Sequence, residues 1–541
     1  MSSRLKIVAA LLSATALLAT ACSNDDGGDN AAEQGPVPST DYFGYQVNTR
    51  LATTNAGTAF GDATGAALLS NRLYPATFVP GPGGQMIPNS DLVETEVISP
   101  QNDNDPLKVV YTLSEEANFS DGAPVVCDDY LLAYKAGKLS AQFGSHMPLA
   151  KSIEEFHCGT GQKRFMVVFK PDSGDRWRYL FGPGTVMPSH KIAEKAGMNS
   201  EELFSALYNE DEAALEPVKQ VWRYGFATAK EDFDPELQVS YGPFVIDRIG
   251  DSGEVVLKRN NEYYGDAANL EHVVVWPSTA NTAELVAQDA LQVIDADSQD
   301  PEWLDRDAED NPFELYQDIG VQTETLTLSQ AGVFTEDWAR HAFAACIDQN
   351  RIAEVSSRES GLDVPPVYLR TLRHDDPINA HFESVAKPHQ QTEPDKAQQL
   401  GGNTVRIGYL GPNERYAAMV EEIRSMCEPF GINVEDQSAE YMSQNYLEMD
   451  PATWMPTIDA FLGPVEPLRE YSAPEADIAN IENIKRAEED LWESVPSIPL
   501  SAQPRVFVVD KQVTGSVPYT NVSGIGWNMD RWAYPVDTDD N

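Results

Sequence analysis

Ser384-Val385-Ala386-Lys387 has the S-x-x-K spacing in which a lysine one helical turn from a serine can activate it as a nucleophile. That geometry needs a helix running past the lysine, and Pro388 follows at once, which would end it. The S-D-N and K-T-G stretches that complete the chemistry occur nowhere. The eight histidines, at positions 146, 157, 190, 272, 341, 374, 381 and 389, show no metal-ligand spacing. No CxxC, Cys/His cluster, HExxH, nucleophile elbow, phosphate-binding loop or dinucleotide fingerprint is present. With 85 Asp and Glu in the chain, any pair of carboxylates can arise by chance. The residues therefore predict no catalytic group, no metal and no cofactor, and a secreted hydrolase is the weakest reading.

The chain start sets the compartment. Arg4 and Lys6 precede an apolar run from Ile7 to Ala21, broken only by Ser13, Thr15 and Thr20. This is a signal peptide over 1–21, too short to span a bilayer as a permanent helix. Ala19-Thr20-Ala21-Cys22 resembles the bacterial lipobox, whose cysteine is acylated, and it also fits an A-x-A cleavage site followed by plain secretion. Ser-Asn-Asp-Asp-Gly-Gly-Asp-Asn follows directly and reads as a solvated tether over 22–42, which favours lipidation of Cys22. Such a coil reaches roughly 25 Å. Loss of the signal peptide removes two cations and leaves 36 basic against 85 acidic residues, a formal charge of -49. A chain so acidic excludes nucleic acid as a partner and disfavours lying flat on an anionic membrane.

Setting Cys22 aside leaves Cys127, Cys158, Cys346 and Cys427, an even number in an oxidising compartment. Four cysteines allow three pairings, and buried free thiols are the alternative. Cys127 with Cys158 and Cys346 with Cys427 is favoured, because each bridge then stays inside one lobe. The elements alternate strand and helix. Leu107 to Leu113 reads as a strand, Asp121-Gly122 as a turn, Asp128 or Asp129 as a helix start and Gly137 as its C-cap. Phe244–Ile249 and Glu254–Lys258 form a hairpin around 250–253. Asp337 to Val355 is an amphipathic helix. The 404–410 strand, a helix through Phe430 and the 432–435 strand make a parallel unit, whose helix carries a core stripe of Tyr416, Met419, Val420, Ile423, Met426, Cys427 and Phe430. Lobed α/β is the expected class.

Five rigid corners in the chain resemble the motifs of one family. Phe119-Ser120-Asp121-Gly122-x-Pro124-Val125 with Asp129-Tyr130 comes first, and Met187-Pro188-Ser189-His190 second. Tyr241-Gly242-Pro243-Phe244 with Arg259-Asn260 and Tyr263-Tyr264-Gly265 is third, Asp337 to Asp348 fourth, and Val495-Pro496-Ser497-Ile498-Pro499-Leu500 fifth. In this order they are similar to the extracellular solute-binding family 5, the peptide-, dipeptide- and nickel-binding lipoproteins of ABC importers, over roughly residues 44 to 532. The resemblance implies a class II periplasmic-binding-protein-like fold: two hinged lobes plus an extra domain inserted near the N-terminus. The expected divisions are 43–75 for the first part of lobe I, 76–195 for the inserted domain, 196–315 for more of lobe I, 316–495 for lobe II and 496–541 for the end of lobe I.

The function implied is capture of a peptide by hinge closure and delivery to ABC permease subunits, from a lipid anchor on the outer face of the cell membrane. The same fold with a non-peptide ligand, or a lipoprotein assisting envelope assembly, are the alternatives. Two stretches depart from the family pattern. The 289–295 turn lacks its glycine, and the region at the peptide site is reduced to 454–464. In many peptide binders an aspartate there takes the α-ammonium group. By position, Asp459 is the candidate, with Tyr441 and Trp454 as cleft aromatics. The 119–130 corner is expected to be structural, without ligand contact.

Overall fold

In the computed structural model, residues 42–81, 85–98, 102, 105–450 and 452–535 are described. The signal peptide and Cys22 lie outside the described residues.

Two long strands, Phe313–Leu328 and Ser497–Asp510, run antiparallel through the middle of a ten-stranded sheet. They pair along nearly their whole length, from Phe313 opposite Asp510 to Thr327 opposite Ser497. Their two ends serve different neighbours. The 506–509 segment pairs with Val293–Ala296, which leads to Phe43–Gln46, His272–Trp276 and the hairpin of Val255–Arg259 and Phe244–Ile249. The 323–328 segment pairs instead with Ala460–Val465, and beyond it lie Thr404–Gly408 and Asn433–Asp436. Between the two halves the register slips from Gly320 to Thr323, the local irregularity by which a strand bends.

The apolar residues follow this division. One large cluster holds Tyr45, Trp222, Val273 and Phe507, and a separate one holds Leu326, Ile407, Ile423 and Leu462. Strands buried on both faces read as unbroken apolar runs, as Val273-Val274-Val275 and Val506-Phe507-Val508-Val509 do. The expected stripe on the helix Glu414–Cys427 is buried at Tyr416, Met419, Val420, Ile423, Met426 and Cys427. A four-stranded antiparallel sheet, in the order Val93–Ile98, Lys108–Leu113, Arg164–Phe169, Ile153–His157, packs into the first cluster with the helix Cys127–Lys138.

The 119–130 corner is tied inward by several of its polar groups. Gly122 takes φ +85°, a backbone that glycine alone adopts freely, and its N–H donates to the Phe119 carbonyl. Ser120 N–H donates to the Ser240 carbonyl, and Asp121 meets His190 at 3.0 Å. Asp129 accepts from Val126 N–H, Ser189 N–H and Ser189 Oγ. Three of the five corners thus pack on one another. Cys127 and Cys158 are bridged with Cα atoms 6.1 Å apart, and Cys346 and Cys427 with theirs 5.2 Å apart.

Two local expectations are corrected. Gly137 lies inside its helix, and a Cβ there would sit 2.6 Å from the Ala150 Cβ, so close packing selects the glycine. The amphipathic stretch from Asp337 is two helices, Asp337–Ala344 and Gln349–Ser360. Asp348 breaks them by turning its side chain to the Asn350 N–H as an N-cap.

Candidate functional site

A seam separates the two halves of the sheet, and the side chains along it come from distant parts of the chain. Arg176 follows the last strand of the four-stranded sheet and is buried. Its guanidinium donates to the carbonyls of Thr371 (2.6 Å), Pro467 (2.7 Å) and Tyr471 (3.0 Å) on the other side. Arg178 pairs with Glu475 at 2.6 Å, and Arg50 with Glu440 at 3.0 Å. The halves are therefore held together across the seam by directed polar contacts.

Two cavities open along it. One is lined by Asp62, His146 and Tyr179 from one side, Gln322 from a long strand, and Glu466 and Glu470 from the other. A second has Phe78, Met86, Tyr179, Tyr519 and Trp527 in its wall. Arg469 borders both. The cavity carboxylates have internal partners: Glu466 takes Arg373 at 3.0 Å, Glu470 takes His146 at 2.8 Å, and Asp62 accepts from Gln444 at 3.3 Å.

The His146–Glu470 pair crosses the seam. Burial works against charge on His146, but the Glu470 carboxylate, by charge and hydrogen bond, outweighs it and pushes the imidazole up to about 9. Burial opposes charge on Glu470 too, and His146 holds its carboxyl below the usual range. The raised histidine adds stability that is full below its unfolded value of about 6.5 and is lost as pH rises through about 9. The lowered carboxyl adds stability that is lost as pH falls below about 4.5. His146→Gln is thus expected to cost about 1–3 kcal/mol near pH 6, after discounting for a pair that is one-fifth exposed. The cost should shrink toward zero by pH 10. Melting curves of both proteins across that range check it, and a pH-independent difference would remove the pair as the cause.

The residues expected to meet a ligand lie elsewhere. Asp459 is buried, and both its oxygens are taken by Arg406, with Nε–Oδ2 and Nη2–Oδ1 at 2.9 Å and the Arg406 N–H also on Oδ2. Both carboxylate oxygens are thus engaged inside the protein, at the residue expected to anchor an α-ammonium group. Tyr441 and Trp454 are 62% and 74% exposed and border neither cavity. The cavity residues His146, Glu466, Arg469 and Glu470 carried no sequence signal, although 466–470 directly follow the flagged 454–464 stretch.

A model of the bacterial extracellular solute-binding proteins, family 5, matches residues 91–460. The chain belongs to this family. A family 5 protein has the class II periplasmic-binding fold, and solved structures agree. The oligopeptide-binding protein of Thermus thermophilus, described in complex with a pentapeptide, superposes at a TM-score of 0.68 with 13% identity, over 92% of this chain and 97% of that one. A protein of A. tumefaciens described in complex with agropinic acid gives 0.62 at 16% identity, over 91% and 99%. At the sequence level, an uncharacterized lipoprotein of Mycobacterium tuberculosis is 28% identical over 97% of this chain and 96% of its own length. Among the described residues, no helix of this family 5 protein is long and apolar enough to cross a membrane.

Proposed function

We propose that this family 5 protein captures a small solute, a peptide in the first reading, between its two lobes and delivers it to ABC permease subunits from a lipid anchor at Cys22, acting as a binding protein without catalysis. The observation that carries the reading is the pair of cavities on the seam, the first walled from both halves and by Gln322 of a shared strand, the second bordered from the other half by Arg469. A solute seated there touches both lobes only when they are closed, so binding shifts the population toward the closed form. Arg176 and the other seam contacts favour closure, and a permease can read closure as the loaded state. A buried peptide also needs its backbone groups paired, at about 1–3 kcal/mol for each one left unmade. The asparagine, glutamine, serine and tyrosine side chains in the two linings offer such partners.

The occupied Asp459 favours a second reading, the same capture with a ligand that has no α-ammonium group. The relative named with agropinic acid is a precedent for such a ligand on this fold. Mass spectrometry of solutes released by denaturing the purified protein separates the two. Peptides would support the first reading and other solutes the second, and a protein that neither releases nor binds any solute would sink both. Cys22→Ala is expected to move the protein from membranes to the medium. Equal solubility of the wild type would remove the anchor.

A further inference from the structure

The second cavity inverts the charge of the protein around it. The chain carries 85 acidic and 38 basic residues, yet three arginines, Arg72, Arg178 and Arg469, line this cavity and no carboxylate does. Arg72 and Arg178 have counter-ions behind the wall, Asp530 at 2.7 Å and Glu475 at 2.6 Å. Arg469 differs. Its guanidinium makes no hydrogen bond or ion pair with any described residue, while the neighbouring Glu466 and Glu470 are engaged by Arg373 and His146. Arg164 and Arg486 are also without partners among the described residues, but both are exposed. Arg469 is half-buried between the two cavities.

A half-buried guanidinium left unpaired in so acidic a protein is a site for an external anion, since Arg presents a planar fork that fits carboxylate or phosphate oxygens. The rest of the wall fixes what that anion is attached to. Phe78, Val79, Met86 and Trp527 form an apolar surface. Tyr179 and Tyr519 bring hydroxyls, and burial raises both phenols above their usual range, so they stay neutral donors.

We propose that the second cavity takes an organic anion with an apolar or aromatic body, its acidic group on Arg469 and its body against Phe78, Met86 and Trp527. This rests on the reading of the seam as the solute site and names the chemical class of the solute.

The test uses two dyes with the same apolar body, on the full mature protein after gel filtration. 8-Anilino-1-naphthalenesulfonate carries the anion, and N-phenyl-1-naphthylamine lacks it. Fluorescence titration is expected to show one saturable site binding the sulfonate at least about tenfold more tightly than the neutral dye, with the preference shrinking as salt is raised. Arg469→Gln should weaken the sulfonate at least about tenfold and leave the neutral dye unchanged, whereas Arg486→Gln should change neither. Circular dichroism confirms that the variants fold. Equal binding of the two dyes, no saturable sulfonate site, or an Arg469→Gln effect under about threefold would overturn the proposal. Released solutes keep the two readings apart. A neutral or cationic solute would leave solute capture standing and sink the anion site, and an acidic solute whose yield falls in Arg469→Gln would support both.

Discussion

Replacing Cys346 and Cys427 together by alanine is expected to destabilise the second half of the molecule by about 4.5 kcal/mol if loop closure in the unfolded chain is what the bridge removes. The bridge spans 81 residues, and the entropy of closing a loop grows with the logarithm of its length, so this bridge is expected to contribute more than the one spanning 31 residues between Cys127 and Cys158. Both sulfurs are fully buried. Cys346 follows the helix Asp337–Ala344, and Cys427 ends the helix Glu414–Cys427. The bridge thus locks two helices on one apolar cluster, and alanine leaves that cluster without a buried hydroxyl. Urea denaturation should show the loss, and amide exchange should place it in the 337–360 and 414–436 segments rather than in the four-stranded sheet. A loss below about 1 kcal/mol would mean that the reduced chain is already held compact by that cluster.

How far the sequence foretold this molecule depends on the range over which each feature is specified. The corners were legible because a turn is written locally. Asp121-Gly122 needs a positive φ at the glycine, and Gly122 has it. The disulfide pairing was legible because it follows from the lobes, and the two apolar clusters keep Cys127 apart from Cys346 and Cys427. The helix break at Asp348 was hidden, since buried Ala345, Cys346 and Ile347 carry the apolar stripe straight through it. The partner of Asp459 was hidden for a reason of register. The parallel pairing of Ile407 with Ala460 sets Arg406 beside Asp459 across 53 residues of sequence. No local pattern announces that neighbour. The cavities were illegible for the same reason on a larger scale, because their walls come from residues as distant as Asp62, His146, Gln322, Glu470 and Trp527. Only the fold brings these together.

The second large effect is expected where Ser497–Asp510 passes from one half to the other. Arg505 meets Asp295 at 2.5 Å, and both side chains are almost wholly buried. Burial pushes the Asp295 carboxyl up to about 6, with the Arg505 guanidinium limiting the rise, so near pH 7.5 the pair is ionised and each charge depends on the other. Arg505→Met removes the cation and leaves a buried carboxylate, expected to cost about 3–5 kcal/mol. The sign of the pH dependence follows from the raised carboxyl. Below pH 5 Asp295 takes up a proton and needs no counter-ion, so the cost of Arg505→Met should fall as the solution is acidified and grow as pH rises above 6. Adding Asp295→Leu removes the stranded charge. The double variant should therefore recover most of the loss, because a buried ion pair exchanged for well-packed apolar groups is often neutral or better. Denaturation of the wild type, both single variants and the double variant at pH 5 and pH 8 gives the full cycle. A double variant no more stable than Arg505→Met alone, or a loss equal at the two pH values, would show that Arg505 stabilises the crossing strand by packing over Phe507 rather than by holding the charge of Asp295.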